Sequence, residues 1–196
     1  TQTLRELIKT PIQYLDVGAR DGIPSHLLRY KDFFTFVLSE PEVKEAEKLT
    51  REGYRVVPQA LAGSVGRRPF YVTAKRGSSS LLKPSPLLRK VFMRPWTAEI
   101  TDTYTVETTT IDVLEEQQGF RFDWLKLDTQ GSEMEILRGA TKSQPLCITT
   151  EVSTMELYEG QGTLYDIIPY LRERGYMILD WSVWAYRPTD PQYRRN

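Results

Sequence analysis

Apolar positions along this chain recur in two periods, and the order in which the periods alternate predicts an architecture. Residues 13–17 read as a strand, and a helix carrying Leu27 and Leu28 is expected after Gly22. Residues 33–38 form a near-continuous apolar strand that ends at Ser39, Glu40 and Pro41. Val43, Ala46 and Leu49 then recur at helical spacing, Gly53 stands past that helix, and residues 54–57 make a third strand. Strands that are apolar throughout, separated by amphipathic helices, predict a parallel sheet covered on both faces.

The middle of the chain changes character. Residues 69–73 and 103–109 look like alternating, half-exposed strands. Residues 75–96 between them are rich in Ser, Pro, Lys and Arg and show no period, so an insertion or lid is expected at about residues 75–102. Regular patterning returns at Thr109. Thr109 and Asp112 are placed to cap a helix through Gln118 that Gly119 closes, and residues 123–127 form the next strand, which leads to Asp128. Ser132 and Glu135 have capping-box spacing for a helix over 133–138 that Gly139 stops. A strand at 146–152 follows, then a helix opened by Thr163 with Leu164, Ile167, Ile168 and Leu171 on one face and Gly175 past its end. Residues 176–180 and 183–187 are joined too tightly for a crossover helix, which predicts an antiparallel hairpin. Thr3 and Glu6 have capping-box spacing for a first helix that sets Leu4, Leu7 and Ile8 on one face. With no internal repeat, residues 1–196 are expected to form a single domain.

Composition narrows the function classes. Hydrophobic content of 40% with 27% charged residues is that of an ordinary globular protein. Lys plus Arg balances Asp plus Glu at 26 each, so no global field draws the chain to nucleic acid or an anionic membrane. No apolar run approaches a membrane span. The one cysteine, Cys147, fits a reducing, cytoplasmic setting and reads as a buried inert thiol. The chain opens on Thr1, which leaves a larger parent protein open, and oligomeric state is not legible.

The acids give the pattern its chemistry. In open parallel sheets, ligands bind beyond the carboxyl ends of the strands, and Asp16, Glu40, Asp128 and Glu151 all fall at or near such ends. Glu40 is placed either to accept both hydroxyls of a ribose or to cap the helix after Pro41. Gly18 and Gly22 flank a bend that lacks the middle glycine of a dinucleotide fingerprint, and Asp16 and Asp21 would repel a pyrophosphate. The bend is either a plain strand-to-helix turn or a cradle for a phosphate-free, cationic nucleoside. S-adenosyl-L-methionine is such a molecule, its ammonium matching the acids and its carboxylate suiting free amides of the turn. An unpartnered acid at Asp16 would be costly.

The ordered segments Asp16-Val-Gly-Ala-Arg-Asp-Gly22, Ser39-Glu-Pro41, Ser78-Ser-Ser-Leu81, Thr110-Ile-Asp-Val113, Leu125-Lys-Leu-Asp-Thr-Gln-Gly-Ser-Glu133 and Ile148-Thr-Thr-Glu-Val152 resemble FkbM-type methyltransferases. The resemblance implies a Rossmann-like α/β class I methyltransferase fold: a mostly parallel seven-stranded sheet with helices on both faces and a terminal antiparallel hairpin. It also implies an S-adenosylmethionine-dependent O-methyltransferase acting on a hydroxyl of a sugar, glycan or natural product. By position, Asp16, Gly18, Ala19, Arg20 and Gly22 would line the methionine part, Glu40 with Pro41 the ribose, and Gln59, Ala60 and Leu61 the adenine. Arg20 stands where the family commonly has Asn. A non-catalytic methyltransferase-like domain and a nicotinamide-dependent oxidoreductase are the alternatives.

For the transfer step, Asp128 is the first candidate to orient or deprotonate the acceptor, though it could equally hold the ammonium. Glu133 and Glu151 are further carboxylate candidates, Glu133 because the expected capping box leaves it free. Two carboxylates make a thin metal signature, and no metal is expected. His26, the only histidine, is a candidate base that packing could also explain. Ser79, Ser80, Lys83 and Gln130 are candidate acceptor contacts. Basic and apolar residues of the insertion, among them Lys75, Arg76, Arg89, Lys90, Phe92, Arg94 and Trp96, suit either a lid or a solvated loop. Trp181, Trp184 and Tyr186 read as core and sheet-edge packing, with sugar stacking as the lesser alternative.

Overall fold

A computed structural model describes residues 6–91 and 98–183. Thr3 of the predicted capping box and Leu4 fall outside these residues, as do Phe92, Arg94, Trp96, Trp184 and Tyr186. The strands are β1 (Ile12–Val17), β2 (Phe34–Ser39), β3 (Arg55–Val57), β4 (Ala60–Leu61), β5 (Gly66–Thr73), β6 (Ile100–Thr109), β7 (Trp124–Leu127) and β8 (Cys147–Thr150). The helices are α1 (Ser25–Leu28), α2 (Val43–Arg51), α3 (Pro86–Val91), α4 (Ile111–Gln118), α5 (Glu133–Gly139) and α6 (Leu164–Glu173).

Five strands form one parallel sheet in the order β3-β2-β1-β7-β8, the doubly wound arrangement that the apolar strand pattern predicts. β4, β6 and β5 form a second, three-stranded sheet. The chain divides into two compact units. One holds Thr1–Arg68, Val106–Asp128 and Ile136–Thr150; the other holds Pro69–Thr105, Thr129–Glu135 and Glu151–Asn196.

The first unit is built on the five-stranded sheet. Side chains two apart on a strand share a face, so Phe34 and Phe36 stack at 5.3 Å between ring centroids. Tyr14 meets both rings and Trp124 edge-on at 5.5–6.0 Å. Tyr14 joins Ala19, Ile23, Leu38 and Leu49 in the buried core of this unit, with Leu27 and Tyr54 against it. α2 contributes Ala46 and Leu49, while Val43, expected on the same face, is exposed. α4 is capped by Thr110, whose hydroxyl accepts the Val113 amide, rather than by Thr109, and Gly119 ends it at φ 74°. Asp112 bonds the backbone of Thr141, Lys142 and Ser143 instead of capping α4.

In the second unit, Leu88, Ala98 and Tyr158 form a small buried cluster with Leu82 and Leu157. The segment expected to lack regular structure holds a 3-10 turn at Arg76–Ser78, a bridge between Tyr71 and Ser80, and α3. α6 begins with the Thr163–Asp166 capping box.

The first strand of the terminal hairpin, expected over residues 176–180, is corrected. Residues 176–183 are in no strand, and Met177, Leu179 and Val183 are 77–81% exposed. The second strand, expected over residues 183–187, lies outside the described residues but for Val183. Trp181, expected to pack, is 47% exposed. The seven-stranded sheet is therefore five-stranded among the described residues. No helix among them is long and apolar enough to cross a membrane.

Candidate active site

β1 lies between β2 and β7, so the chain leaves it toward opposite sides of the sheet. Open α/β sheets bind ligands at such a switch point, beyond the carboxyl ends of the strands. Asp16 stands opposite Lys126 in the β1–β7 register. Lys126 Nζ donates to Asp16 Oδ1 at 2.8 Å and lies 3.8 Å from Asp128 Oδ2. Asp16 is fully buried, and its Oδ2 makes no hydrogen bond. Burial pushes its carboxyl above the usual aspartate range and the nearby charge of Asp128 adds to this, while Lys126 opposes both.

Lys126 corrects the sequence argument, which assigned the counter-charge of Asp16 to a ligand alone. The signal was present: a lysine inside the apolar strand Trp-Leu-Lys-Leu, next to a strand that carries a buried acid. Only the strand order and register join the two.

The bend after β1 is left-handed at Gly18, Asp21 and Gly22, with φ of 78°, 68° and 77°. Its free amides are a second correction. Gly18 and Ala19 both donate to Ser39 O, at 3.1 and 3.3 Å, and Gly22 donates to Ala19 O at 3.0 Å. These donors tie the β1 bend to the end of β2 rather than standing open to a ligand carboxylate. Ala19 is buried in the core, and Arg20 is ion-paired with Glu42.

Glu40 is 4% exposed at the end of β2. It does not cap α2: the N-cap is Glu42, and Glu40 Oε1 accepts the Glu42 amide at 2.8 Å, two residues on. Burial pushes the Glu40 carboxyl up to about 7. A carboxylate has room for further donors beyond one amide, so Glu40 retains capacity for hydroxyls. Pro41 is half-buried beside it. Ser39 Oγ donates to Gln59 O at 2.7 Å, which anchors the segment after β3. Gln59 is half-buried, whereas Ala60 and Leu61 are buried in β4. His26 lies exposed on α1, and Asp128 has a side chain 42% exposed at the end of β7.

The second unit carries the remaining candidates. Gln130, at φ 59°, donates through Nε2 to Glu151 Oε2 at 3.1 Å. The Tyr158 hydroxyl is 3.2 Å from Gln130 Oε1 and 3.0 Å from Ser78 O. Tyr158 was not singled out from the sequence, because an isolated tyrosine in a loop gives no periodic signal. Glu133 is 1% exposed and accepts the Thr129 and Gly131 amides. The capping box expected to free it is absent, since Ser132 Oγ is buried without a hydrogen-bond partner. Ser79 Oγ accepts the Thr73 amide and Ser80 Oγ the Leu82 amide. Lys83 is exposed, its ammonium 5.6 Å from the Tyr71 ring centroid.

Cys147, expected to be buried, is half-buried in β8, with its thiol pushed up by partial burial. No group of three or more His, Cys, Asp and Glu among the described residues is arranged to hold a metal ion.

The family model described as the methyltransferase FkbM domain matches residues 16–178, from Asp16 near the end of β1 to beyond α6. No curated protein and no solved structure gives a match. The family match covers most of the chain and includes β2, β3, β7, β8 and the acidic strand ends of the parallel sheet, so the chain belongs to the FkbM methyltransferase family.

Proposed function

We propose that this methyltransferase uses S-adenosyl-L-methionine and methylates a hydroxyl of a sugar, glycan or natural-product acceptor. One observation carries the reading: Asp16 is a fully buried carboxylate with one oxygen on Lys126 and the other unpartnered. A buried polar atom left without a partner is costly, and an ammonium fits it. When bound, the cofactor supplies a methyl group already activated on a sulfonium.

The residues divide the remaining work. Asp16 Oδ2 accepts the ammonium. Glu40 accepts the ribose hydroxyls, and hydrogen bonds to a charged group contribute about 1.5–3 kcal/mol each. The half-buried Gln59 borders the adenine, with Ala60 and Leu61 behind it. Asp128, partly exposed and near the Lys126 ammonium, orients the acceptor hydroxyl and takes its proton. A positioned base of this kind contributes about 10²–10⁴-fold. Gln130, Glu151, Ser79, Ser80 and Lys83 are the acceptor contacts of this reading.

Calorimetric titration with S-adenosylhomocysteine tests it. The wild-type protein should bind, and Glu40→Ala should weaken binding by at least about tenfold. Asp128→Ala should keep that affinity and lose turnover by about 10²-fold or more. Unchanged affinity in Glu40→Ala would count against the cofactor assignment, and wild-type turnover in Asp128→Ala would remove Asp128 from the chemistry.

A further inference from the structure

Burial alone drives a carboxyl toward its neutral form. A neutral Asp16 would offer an incoming ammonium a dipole instead of an anion. Three ionisable groups bear on this carboxyl. Lys126 from β7 favours the anion at 2.8 Å, and Asp128 beyond β7 opposes it. Tyr14, on β1 itself, is a phenol whose own ionisation burial suppresses. Lys126 takes only Oδ1 and leaves Oδ2 without a partner. The two side chains emerge from directly paired positions of adjacent parallel strands, so backbone register rather than a loop fixes their relation.

We propose that Lys126 is the positioning residue of the methionine end of the site: by holding Oδ1 it keeps Asp16 an oriented anion and leaves Oδ2 for the cofactor's ammonium. The proposal rests on the cofactor reading above. Asp16 and Asp128 set two acidic groups against the one basic group of Lys126, an excess of one acid that matches a single ammonium. Lys126 acts through Asp16 and has no part in the transfer itself.

S-adenosylhomocysteine, which keeps the ammonium and lacks the reactive methyl, is the probe. Calorimetric titrations from pH 5.5 to 8 compare wild type, Lys126→Met and Lys126→Arg. Glu40 also titrates in this range, but equally in all three proteins, so the ratio of variant to wild-type affinity isolates Lys126. In Lys126→Met that ratio should fall by about tenfold per pH unit on the acid side of the Asp16 transition. In Lys126→Arg it should stay flat. Carbon-13 NMR of the Asp16 carboxyl in the cofactor-free protein gives a second readout. Asp16 should be ionised at pH 7 in wild type, with its midpoint raised in Lys126→Met.

Binding by wild type with a flat ratio in Lys126→Met overturns the proposal and leaves the cofactor reading standing. No binding by wild type overturns both. If Lys126→Met does not fold, the wild-type carboxyl titration decides, and a neutral Asp16 at pH 7 overturns the proposal.

Discussion

The Glu133 carboxylate closes the loop that precedes it: Oε1 accepts the Thr129 amide at 2.7 Å and Oε2 the Gly131 amide at 2.9 Å. Both amides belong to the bend that holds Gln130 in a left-handed conformation. Glu133→Gln keeps the shape but replaces one acceptor oxygen with a donor. We expect it to lower stability by about 1.5–3 kcal/mol. The check is a lower urea midpoint at an unchanged m-value. Loss of turnover at full stability would instead place Glu133 in the chemistry.

Glu40 makes stability depend on pH in an unusual direction. Its carboxyl titrates at about 7 in the folded chain against an ordinary 4.5, because burial penalises the anion. The folded state therefore holds the proton longer than the unfolded chain. The contribution is fully present below about pH 4.5 and is lost as pH rises to about 7. The difference corresponds to about 3 kcal/mol. Glu40→Gln should melt above wild type at pH 8, with the gap closing toward pH 4.5. A lower melting temperature at pH 8 would refute the burial penalty. The same substitution should weaken S-adenosylhomocysteine binding, so the stability cost and the cofactor role reside in one group.

Asp112 behaves in the opposite sense. It accepts the Thr141 hydroxyl at 2.7 Å and the Thr141, Lys142 and Ser143 amides at 2.9–3.1 Å, and these donors, the hydroxyl foremost, hold its carboxyl below the usual range despite partial burial. Asp112→Asn should cost about 1–2 kcal/mol at pH 7, the low end because the site is open to solvent. A depressed carboxyl stabilises above its unfolded value of 3.8 and stops doing so as pH falls through its folded value. Thermal melts of wild type and variant should converge in acid, and a constant gap down to pH 2 would contradict the assignment.

Gly131 tests the packing of the second unit. It sits at φ 110°, and an added Cβ would lie 3.1 Å from Tyr158 Cβ. Gly131→Ala should therefore destabilise by about 1–3 kcal/mol. Affinity for S-adenosylhomocysteine should stay within about twofold, because the atoms nearest an added Cβ all belong to Tyr158 and none to Asp16 or Glu40. A wild-type melting temperature would show that the backbone relaxes around the new methyl group.

Legibility from the sequence followed the range of the interactions. The end of α4 at Gln118 is legible in the sequence, because Gly119 is a local signal. The same logic failed by one residue at its start, where Thr110 rather than Thr109 makes the cap, and again at Ser132, whose hydroxyl finds no partner. Capping spacing names residues able to bond; packing decides whether they do. The acidic strand ends were legible because strand ends follow from apolar runs. The committed amides of Gly18 and Ala19 were not, because their acceptor, Ser39 O, lies on another strand.

By itself the sequence determined the parallel order of apolar strands and amphipathic helices, the acids at the strand ends, and the motifs of the methyltransferase family. All of these depend on periodicity or on residues close in the chain. Tertiary structure decided that Lys126, 110 positions from Asp16, answers one oxygen of its carboxylate and leaves the other buried without a hydrogen bond. It also decided that Glu40 is buried deeply enough to titrate near neutrality. The reason is physical: a carboxylate's proton affinity and free valence depend on which atoms surround it, and strand order and register bring those atoms from distant parts of the chain.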